Sequence, residues 1–399
     1  MIGRALILPA IVCALAGCAP ADPAGASSGH AAATAAAAPQ TPQPKTHLQI
    51  DGTHFRTPDG GLFQWRGITA FRLLDFIADG QEADARKFLE WARSRHLTVV
   101  RVLAMGGGFM ELKPQDGRAS ASRLLTLANE YGLHVELVAL AGTLEMPVNL
   151  DDQLTALGEV LGAHPNGLLE IANEPTHPSQ APAVGRVDVL LALAARIPSD
   201  VPVALGSIEA NEAFAKADYA TWHVPRDNKF GGWGHVIAIA QGAAFIEKFK
   251  KPVVSDEPIG AGPKYEAGRR DDLPARFRAA ALLTRLVGMG ATFHYEGGLQ
   301  ARIPEGRELA CFEAWNEAWT LLPAELEAQG TFAAAGGQGA VVRAFDRAAA
   351  LGVYERTADN RGWVLSIGPG DPALQFDAGW SVSDVKTFEG ARLFSVARR

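Results

Sequence analysis

The sequence predicts an α/β protein built on a (β/α)8 barrel, with an N-terminal β-hairpin and a small C-terminal β-module. Eight strand–helix units alternate between residues 48 and 322, and eight is the number that closes such a barrel. The predicted strands are short and apolar on both faces, as at residues 99–100 and 253–254, which is typical of a parallel sheet covered by helices. Residues 66–71, at the end of the first strand, lack the glycine-rich phosphate loop that an open doubly wound sheet would carry there.

The composition is that of a folded chain of 399 residues. Hydrophobic residues make up 48% and charged residues 20%, so a sizeable core can be buried and global disorder is excluded. The formal net charge is -7 and no basic stripe is present, so nucleic acid is not an expected partner. No apolar run reaches the ~20 residues that a membrane-spanning helix needs.

The N-terminus has the pattern of a bacterial lipoprotein signal. Arg4 precedes an apolar stretch over residues 5–16, and residues 15–18 (LAGC) resemble the lipobox, in which cleavage occurs before the cysteine. Residues 1–17 are therefore predicted to be a signal peptide, and Cys18 is predicted to carry lipid, including palmitate. The alternative is an ordinary signal peptide with a chance cysteine.

A flexible tether is predicted to follow the signal. Residues 18–46 are rich in Ala and Pro and contain almost no large apolar side chain, so they cannot offset the entropy of ordering. Ala19 follows the cysteine in place of the aspartate associated with inner-membrane retention, which predicts the outer membrane, facing the periplasm or the exterior. Cys311 is expected to be a small buried hydrophobe.

Local patterns define the remaining elements in order. Residues 48–61 read as a hairpin with turn residues at both bends. Hydrophobic periodicity then predicts eight strands, each with the helix that follows it: 62–69 and 82–95, 98–103 and 121–131, 134–139 and 150–161, 168–172 and 184–196, 201–205 and a short helix near 212–216, 219–223 and 235–249, 252–255 and 273–287, 291–295 and 307–322.

The pattern changes after residue 330 to short strands separated by Gly, Asp and Pro turns, at 340–345, 350–356, 362–367 and 392–396. The barrel is therefore assigned residues 47–328, and the β-module residues 329–399. Trp363 and Trp380 could form a sugar-binding platform, but packing against the barrel is the favoured interpretation.

Polar side chains occur at the predicted C-terminal ends of the barrel strands, where barrel enzymes carry their chemistry. Glu174 ends strand four and Glu257 ends strand seven, across the barrel mouth from each other. Glycoside hydrolysis needs such a pair, one acid and one carboxylate. The alternative for Glu174 is a solvated charge at a strand–loop junction. The other strand-end candidates, for substrate binding, are Arg101, Asn173, His223, His294, Tyr295 and Glu296.

Three segments of the chain resemble the clan A glycoside hydrolases, and among them the cellulase-like family 5. Asn173-Glu174-Pro175 resembles the strand-four motif of that family, and residues 251–257 resemble its strand-seven nucleophile segment. The opening hairpin, with residues 67–71 on strand one, is similar too. The likeness extends over about residues 48–322 and implies the barrel fold and glycosidase activity.

The resemblance also implies roles for individual residues. Glu174 would be the acid/base, with a pKa raised by the neighbouring negative charge, and Glu257 would be the nucleophile. Asn173 would donate a hydrogen bond to the sugar 2-hydroxyl. Arg101 would steady the nucleophile, and His223 would line the site.

The sequence departs from family 5 at three strand ends. Residues 138–142 contain no histidine, residues 223–225 replace a His-x-Tyr, and residues 294–296 replace a tryptophan. Because side chains alternate along a strand, only one of Asp256 and Glu257 can point into the barrel mouth. The residues alone leave that choice open, and the resemblance selects Glu257.

The loop after strand six, residues 226–234, holds Trp233 among glycines. Stacking of Trp233 on a sugar and packing against the barrel are both open. Glu174 and His177 have the Glu-x-x-His spacing of di-iron proteins, but Pro175 opposes the helix that this chemistry needs. The ten histidines show no clustered ligand spacing, so neither a metal nor another cofactor is predicted.

These observations lead to a first hypothesis and two alternatives. The first is a monomeric, lipid-tethered retaining glycoside hydrolase that acts on an oligo- or polysaccharide by double displacement. The second is a non-catalytic, carbohydrate-binding envelope lipoprotein on the same barrel. The third is a structural envelope protein, which would have no reason for paired strand-end carboxylates.

Overall fold

The computed structural model describes residues 46–104, 117–225, 229–257, 273–337, 340–368 and 370–399. The predicted signal peptide, Cys18 and nearly all of the tether lie outside these residues. The described residues belong to one compact unit. None of the helices in this part of the chain is both long and apolar enough to cross a membrane.

Three short antiparallel strands precede the barrel: β1 (Gln49–Asp51), β2 (His54–Arg56) and β3 (Leu62–Phe63). Phe55 of β2 and the neighbouring Leu48 are buried together with Trp65, Leu168 and Tyr219 of the barrel. The predicted hairpin therefore extends the barrel core with a small aromatic cluster. The predicted strand over 62–69 is divided, because β3 pairs with the hairpin while the next strand pairs inside the barrel.

Eight parallel strands form the central sheet, as the sequence predicts: β4 (Arg66–Thr69), β5 (Val99–Leu103), β6 (His134–Leu140), β7 (Gly167–Ala172), β8 (Val203–Ala204), β9 (Ala220–Thr221), β10 (Val253–Ser255) and β11 (Gly290–Phe293). Each strand pairs with its sequence neighbours except at the gap between β8 and β9, and β11 returns to pair with β4. A single bridge between Ser207 and Thr221 joins β8 to β9 and nearly completes the barrel.

Helices cover the outside of this sheet: α1 (Leu73–Ala78), α2 (Glu82–Ser94), α3 (Gly117–Glu130), α4 (Leu150–Gly162), α5 (Val187–Ala194), α6 (Lys229–Gly232), α7 (Gly234–Ala238), α8 (Gly242–Phe249), α9 (Pro274–Val287) and α10 (Gly306–Ala318). Helix α1 was not predicted. The predicted helix over 235–249 is interrupted by a 3-10 turn at Ile239–Gln241, and residues 212–216 are also 3-10. Pro274 at the first turn and Gly288 in the left-handed conformation mark the ends of α9.

The C-terminal module is a five-stranded antiparallel sheet with a separate two-stranded pair. Its strands are β12 (Thr331–Ala334), β13 (Val342–Phe345), β14 (Gly352–Ala358), β15 (Arg361–Ile367), β16 (Leu374–Phe376), β17 (Trp380–Phe388) and β18 (Ala391–Arg398). The sequence patterns missed β12, β16 and β17. Strand β17 is exposed along most of its length, so it shows little apolar alternation.

The module and the barrel are packed together along helix α9. Arg356 of β14 donates to the backbone oxygen of Leu286 at 2.8 Å, and Trp363 packs against the main core. Trp380 lies instead in a core of the module's own, with Val342 and Phe394. Trp363 therefore packs as the favoured interpretation has it, whereas Trp380 packs inside the module and not against the barrel.

Candidate active site

The C-terminal ends of five barrel strands bring together the predicted site residues. Arg101 lies on β5, Glu174 follows β7, His223 follows β9, Glu257 follows β10 and His294 follows β11. Because all barrel strands are parallel, these ends share one face of the barrel, the face that carries chemistry in this fold. Side chains far apart in sequence therefore contact one another, such as Glu174 and His223, 49 positions apart, and Arg101 and Glu257, 156 positions apart.

Arg101 is the centre of this group and is fully buried. Its guanidinium donates to Glu257 Oε1 at 2.7 Å, to Glu170 Oε2 at 2.6 Å and to Asn173 Oδ1 at 2.8 Å, and its Nε lies 3.3 Å from Asp256 Oδ2. Burial by itself lowers the pKa of Arg101, but the surrounding carboxylates raise it well above its usual value. The guanidinium is therefore a fixed cation that orients Glu257, as the resemblance implies.

Two further buried carboxyl groups, Glu136 on β6 and Glu170 on β7, were missed by the sequence analysis. Glu136 Oε2 lies 3.6 Å from Arg101 Nε, and its Oε1 accepts from the Tyr219 hydroxyl at 2.8 Å. Glu170 Oε1 accepts from Thr221 at 2.8 Å. Burial raises the pKa of both carboxyl groups, that of Glu136 well above its usual range. An isolated glutamate within an otherwise apolar strand was the signal that could have revealed them.

His223 lies between the two halves of the site. Its Nδ1 is 3.1 Å from Glu174 Oε1, and its Nε2 is 3.4 Å from Asp256 Oδ1. Burial favours the neutral ring, but the charges of Glu257 and Asp256 and the hydrogen bond to Glu174 raise the pKa of His223 well above its ordinary value. The surroundings therefore favour the protonated ring, in which both nitrogens are donors.

Glu174 differs from the expectation for an acid/base with a raised pKa. The hydrogen bond from His223 lowers the pKa of Glu174, and this effect exceeds both the penalty of burial and the repulsion from Glu257. The expectation considered only the neighbouring carboxylate, because sequence could not place the imidazolium 3.1 Å away. In the free protein at neutral pH, Glu174 is thus the ionised partner of a protonated histidine.

The turn that carries Glu174 is strained and tightly supported. Glu174 has a φ of 42°, a left-handed conformation that costs a non-glycine residue on the order of 1–3 kcal/mol. The buried Gln180 donates to the backbone oxygen of Asn173 at 2.6 Å, which fixes the turn from below. Gly206, after β8, leaves room for the Pro175 ring, which an added Cβ would approach within 2.5 Å. This packing holds the Glu174 side chain toward the mouth.

The two candidate carboxyl groups are close together. One carboxyl oxygen of Glu174, one of Glu257 and a ring nitrogen of His223 all lie within 4.8 Å of one another. Glu257 is 9% exposed, whereas Glu174 is 36% exposed. Glu174 borders an opening of about 140 Å³ that is also lined by Thr176, His177, Ser207, Glu209 and Ala210. Glu174 is therefore reachable from this opening, whereas the more buried Glu257 lies beside it without lining the opening.

His294 and Phe71 complete the wall on the side of Glu257. His294 Nε2 is 3.9 Å from Glu257 Oε2, and its Nδ1 shares a hydrogen bond with Thr69 at 3.0 Å. The Phe71 ring lies over Arg101, 5.3 Å from the guanidinium carbon to the ring centre. An apolar cover of this kind keeps water from the Arg101 ion pairs and strengthens them.

The neighbouring candidates Tyr295 and Glu296 do not join this group. Tyr295 is fully buried, packs against Phe293 at a ring distance of 5.3 Å and donates from its hydroxyl to the backbone oxygen of Arg302. Alternation along the chain turns it into the core when His294 faces the mouth. Glu296 is partly buried and precedes the 3-10 turn at Gly297–Gln300. We therefore leave both out of the proposed substrate contacts.

The loop after β9 presents a different aromatic side chain from the predicted one. Trp233 is partly buried against the core, and a Cβ added at Gly390, in the turn between β17 and β18, would meet the Trp233 ring at 2.4 Å. Phe230, in the same loop, is 59% exposed. The packing alternative thus describes the contacts of Trp233, and the exposed aromatic is one that sequence reasoning passed over.

Two sets of three side chains approach closely enough to share a metal ion: Glu170, His223 and Asp256, and Glu174, His223 and Glu257. Both sets include His223, which as a ligand would have to give up the ring proton that the surrounding carboxyl groups favour. The Arg101 guanidinium already forms ion pairs with Glu170, Asp256 and Glu257, so a metal ion would have to share these carboxylates with a fixed cation. We therefore assign no metal to either set.

Comparison with known proteins places the fold among glycosidase barrels. A solved structure of a glycoside hydrolase family 5 protein from Bacteroides vulgatus matches with a TM-score of 0.62 and 13% identity, over 89% of this chain and 94% of that one. A second solved glycoside hydrolase matches with a TM-score of 0.61 and 13% identity, over 90% and 99%. A putative glycoside hydrolase from Bacteroides vulgatus follows with 0.55 and 14%, over 85% and 69%.

No family model matches the sequence, and no curated protein does. The class defined by the fold is therefore that of a glycosidase-like (β/α)8 barrel with an attached β-module. The solved structures that it resembles over most of their length are glycoside hydrolases, one of them from family 5, the family that the sequence motifs resemble.

Proposed function

We propose that this chain is a retaining glycoside hydrolase that acts on an oligo- or polysaccharide, with Glu257 as nucleophile and Glu174 as acid/base. The observation that carries the proposal is the spacing of the two carboxyl groups, whose nearest oxygens lie within 4.8 Å. Retaining enzymes hold such groups ~5–5.5 Å apart, whereas inverting enzymes separate them by ~6.5–9.5 Å to admit a water. The similarity of fold to solved glycoside hydrolases supports the same reading.

The geometry supports a double displacement. Arg101 holds Glu257 ionised and oriented, so that an oxygen of Glu257 forms a bond to the anomeric carbon as the bond to the leaving oxygen breaks. The proton of Glu174 passes to that oxygen. A water then attacks the glycosyl–enzyme and gives its proton to Glu174, and Glu257 leaves. Because Asn173 Oδ1 accepts from Arg101, the amide nitrogen of Asn173 is directed away to donate to a sugar hydroxyl.

One observation favours the second candidate, a non-catalytic carbohydrate-binding protein. His223 holds Glu174 ionised in the free chain, and an ionised carboxylate has no proton for a leaving group. Hydrolysis therefore requires that a bound substrate, or a lower pH, returns the proton to Glu174. A protein that only binds sugar would have no such requirement.

Kinetics of two glutamate variants test the proposal. Glu257→Ala should abolish turnover of every substrate in a panel of chromogenic glycosides and polysaccharides. Glu174→Ala should spare the first step for substrates with good leaving groups, and added azide should then accelerate the second step, because azide attacks without a base. The anomer first released, measured by NMR, should show retention.

The matched control is Glu247→Ala, which removes an exposed carboxylate of helix α8 that does not line this opening. Its rate of glycoside hydrolysis without azide should equal that of the unaltered chain. An inverted product, or full activity of Glu257→Ala, would overturn the assignment. Sugar binding without turnover by the unaltered chain would favour the non-catalytic candidate.

We further propose that the barrel is a monomer tethered to the outer membrane through lipid on Cys18, as the N-terminal sequence predicts. Cys18→Ser should release the protein from the membrane fraction or stall its processing. The barrel variant Glu247→Ala serves as the control and should fractionate like the unaltered chain. Unchanged fractionation of Cys18→Ser would exclude the lipid anchor.

A further inference from the structure

Asp256 occupies a position that the proposed mechanism does not use. Its side chain is fully buried, next to the candidate nucleophile in sequence. One oxygen lies 3.3 Å from Arg101 Nε, and the other lies 3.4 Å from His223 Nε2. The carboxylate therefore bridges two cations, and these are the cations that contact Glu257 and Glu174 respectively.

We infer that Asp256 is a positioning residue that couples the two candidate carboxylates through Arg101 and His223, and that by holding the proton on His223 it sets the pH range in which Glu174 can act as an acid. This inference rests on the proposed function for its catalytic consequence. Its structural part, the charge state of His223, stands independently of any activity.

The surroundings of His223 explain why Asp256 has this influence. The ring has lost its contact with bulk water, so its charge depends on the groups that face it. Asp256 contacts Nε2, which points away from the mouth, whereas Glu174 contacts Nδ1, on the mouth side. The charged and titratable groups around the ring from the adjoining strands are Glu174 and Glu170 of β7, Asp256 and Glu257 after β10, and Arg101 of β5 beyond them.

Removal of the Asp256 charge should reverse the balance between His223 and Glu174. In Asp256→Asn, the imidazolium loses the anion at Nε2 and gives up its proton at a lower pH. Glu174 then loses its cationic hydrogen-bond donor, while the negative charge of Glu257 still repels it. It therefore keeps its own proton to a higher pH. The alkaline limb of the pH profile of kcat/KM should therefore move to higher pH. Simple structural damage would lower kcat/KM without moving this limb.

The direct test is ¹⁵N NMR of the full-length chain labelled at histidine, without substrate. The His223 signal is assigned by its absence in His223→Gln. In the unaltered chain it should remain that of an imidazolium at pH 8, and in Asp256→Asn its titration should move down by at least about one pH unit. An ordinary His223 titration near pH 6.5 in the unaltered chain would overturn the inference even if Asp256→Asn did not fold.

Glu136→Gln is the matched control, because Glu136 is a buried carboxyl group beside Arg101 that bonds to Tyr219 rather than to His223. It should leave the His223 titration in place. If His223 titrates as expected but no glycoside is cleaved, the proposed function fails while the role of Asp256 toward His223 holds. If Asp256→Asn leaves both the His223 titration and the alkaline limb unchanged, the inference is wrong.

Discussion

Replacing Arg101 with methionine should destabilise the protein in a strongly pH-dependent manner. Methionine keeps much of the side-chain length but removes the cation from contact with the carboxyl groups of Glu170, Asp256 and Glu257. Breaking a buried ion pair by deleting one partner costs ~3–5 kcal/mol. We expect at least that loss in the free energy of unfolding at pH 7.5.

Acidification should restore part of this loss. Burial already raises the pKa values of Glu136 and Glu170 in the folded state, and loss of the guanidinium raises them further above their values in the unfolded state. The folded chain then binds more protons than the unfolded chain above the ordinary glutamate pKa, so its stability falls as pH rises. The destabilisation by Arg101→Met should therefore be smaller at pH 5 than at pH 7.5, by ~1–2 kcal/mol.

Urea unfolding followed by circular dichroism at both pH values measures this difference. The control is Arg66→Met, because Arg66 is also buried but donates to the backbone and side-chain oxygens of Asn316. Its cost should be the same at both pH values, since carbonyl groups do not titrate. An Arg101→Met loss that is also independent of pH would refute the account of Arg101 as the counter-ion of this cluster.

Three other regions give measurable expectations. Trp233→Ala should lower the free energy of unfolding by about 2 kcal/mol, because the ring packs on the turn at Gly390. Phe230→Ala should leave unfolding unchanged and raise KM roughly fivefold, and the reverse pattern would give the stacking role to Trp233. Burial lowers the pKa of His134 to about 4 in the folded chain. As the pH falls, His134 is therefore protonated first in the unfolded chain, and the free energy of unfolding should fall by about 2 kcal/mol between pH 6.5 and pH 4. His134→Phe should remove that slope in urea unfolding, and an unchanged slope would contradict it. Gly206→Ala should cut kcat by about tenfold or more, because its Cβ would press on the turn after β7; unaltered kinetics would show that this turn tolerates movement.

The barrel could be predicted because its signals are local and repeated. Each strand is a short apolar run and each major helix has its own periodicity, so eight units could be counted without knowing their contacts. Helix α9 shows where such patterns weaken: 12 of its 14 residues are buried, between the barrel and the C-terminal module. Its polar residues Arg276 and Arg285 are buried with the rest, which no periodicity indicates. The mostly exposed strand β17 was missed for the opposite reason.

The sequence by itself determined the barrel and the identity of its principal strand-end residues, because strand order and the ends of parallel strands follow from the chain. The tertiary structure alone decided which groups share one buried volume. It placed Glu136, Glu170 and Asp256 around Arg101, and it placed the His223 imidazolium beside Glu174. The pKa of a buried group depends on charges within a few ångströms, which come from strands far apart in sequence. For that reason the pKa of Glu174 was expected to rise, and the packed site lowers it.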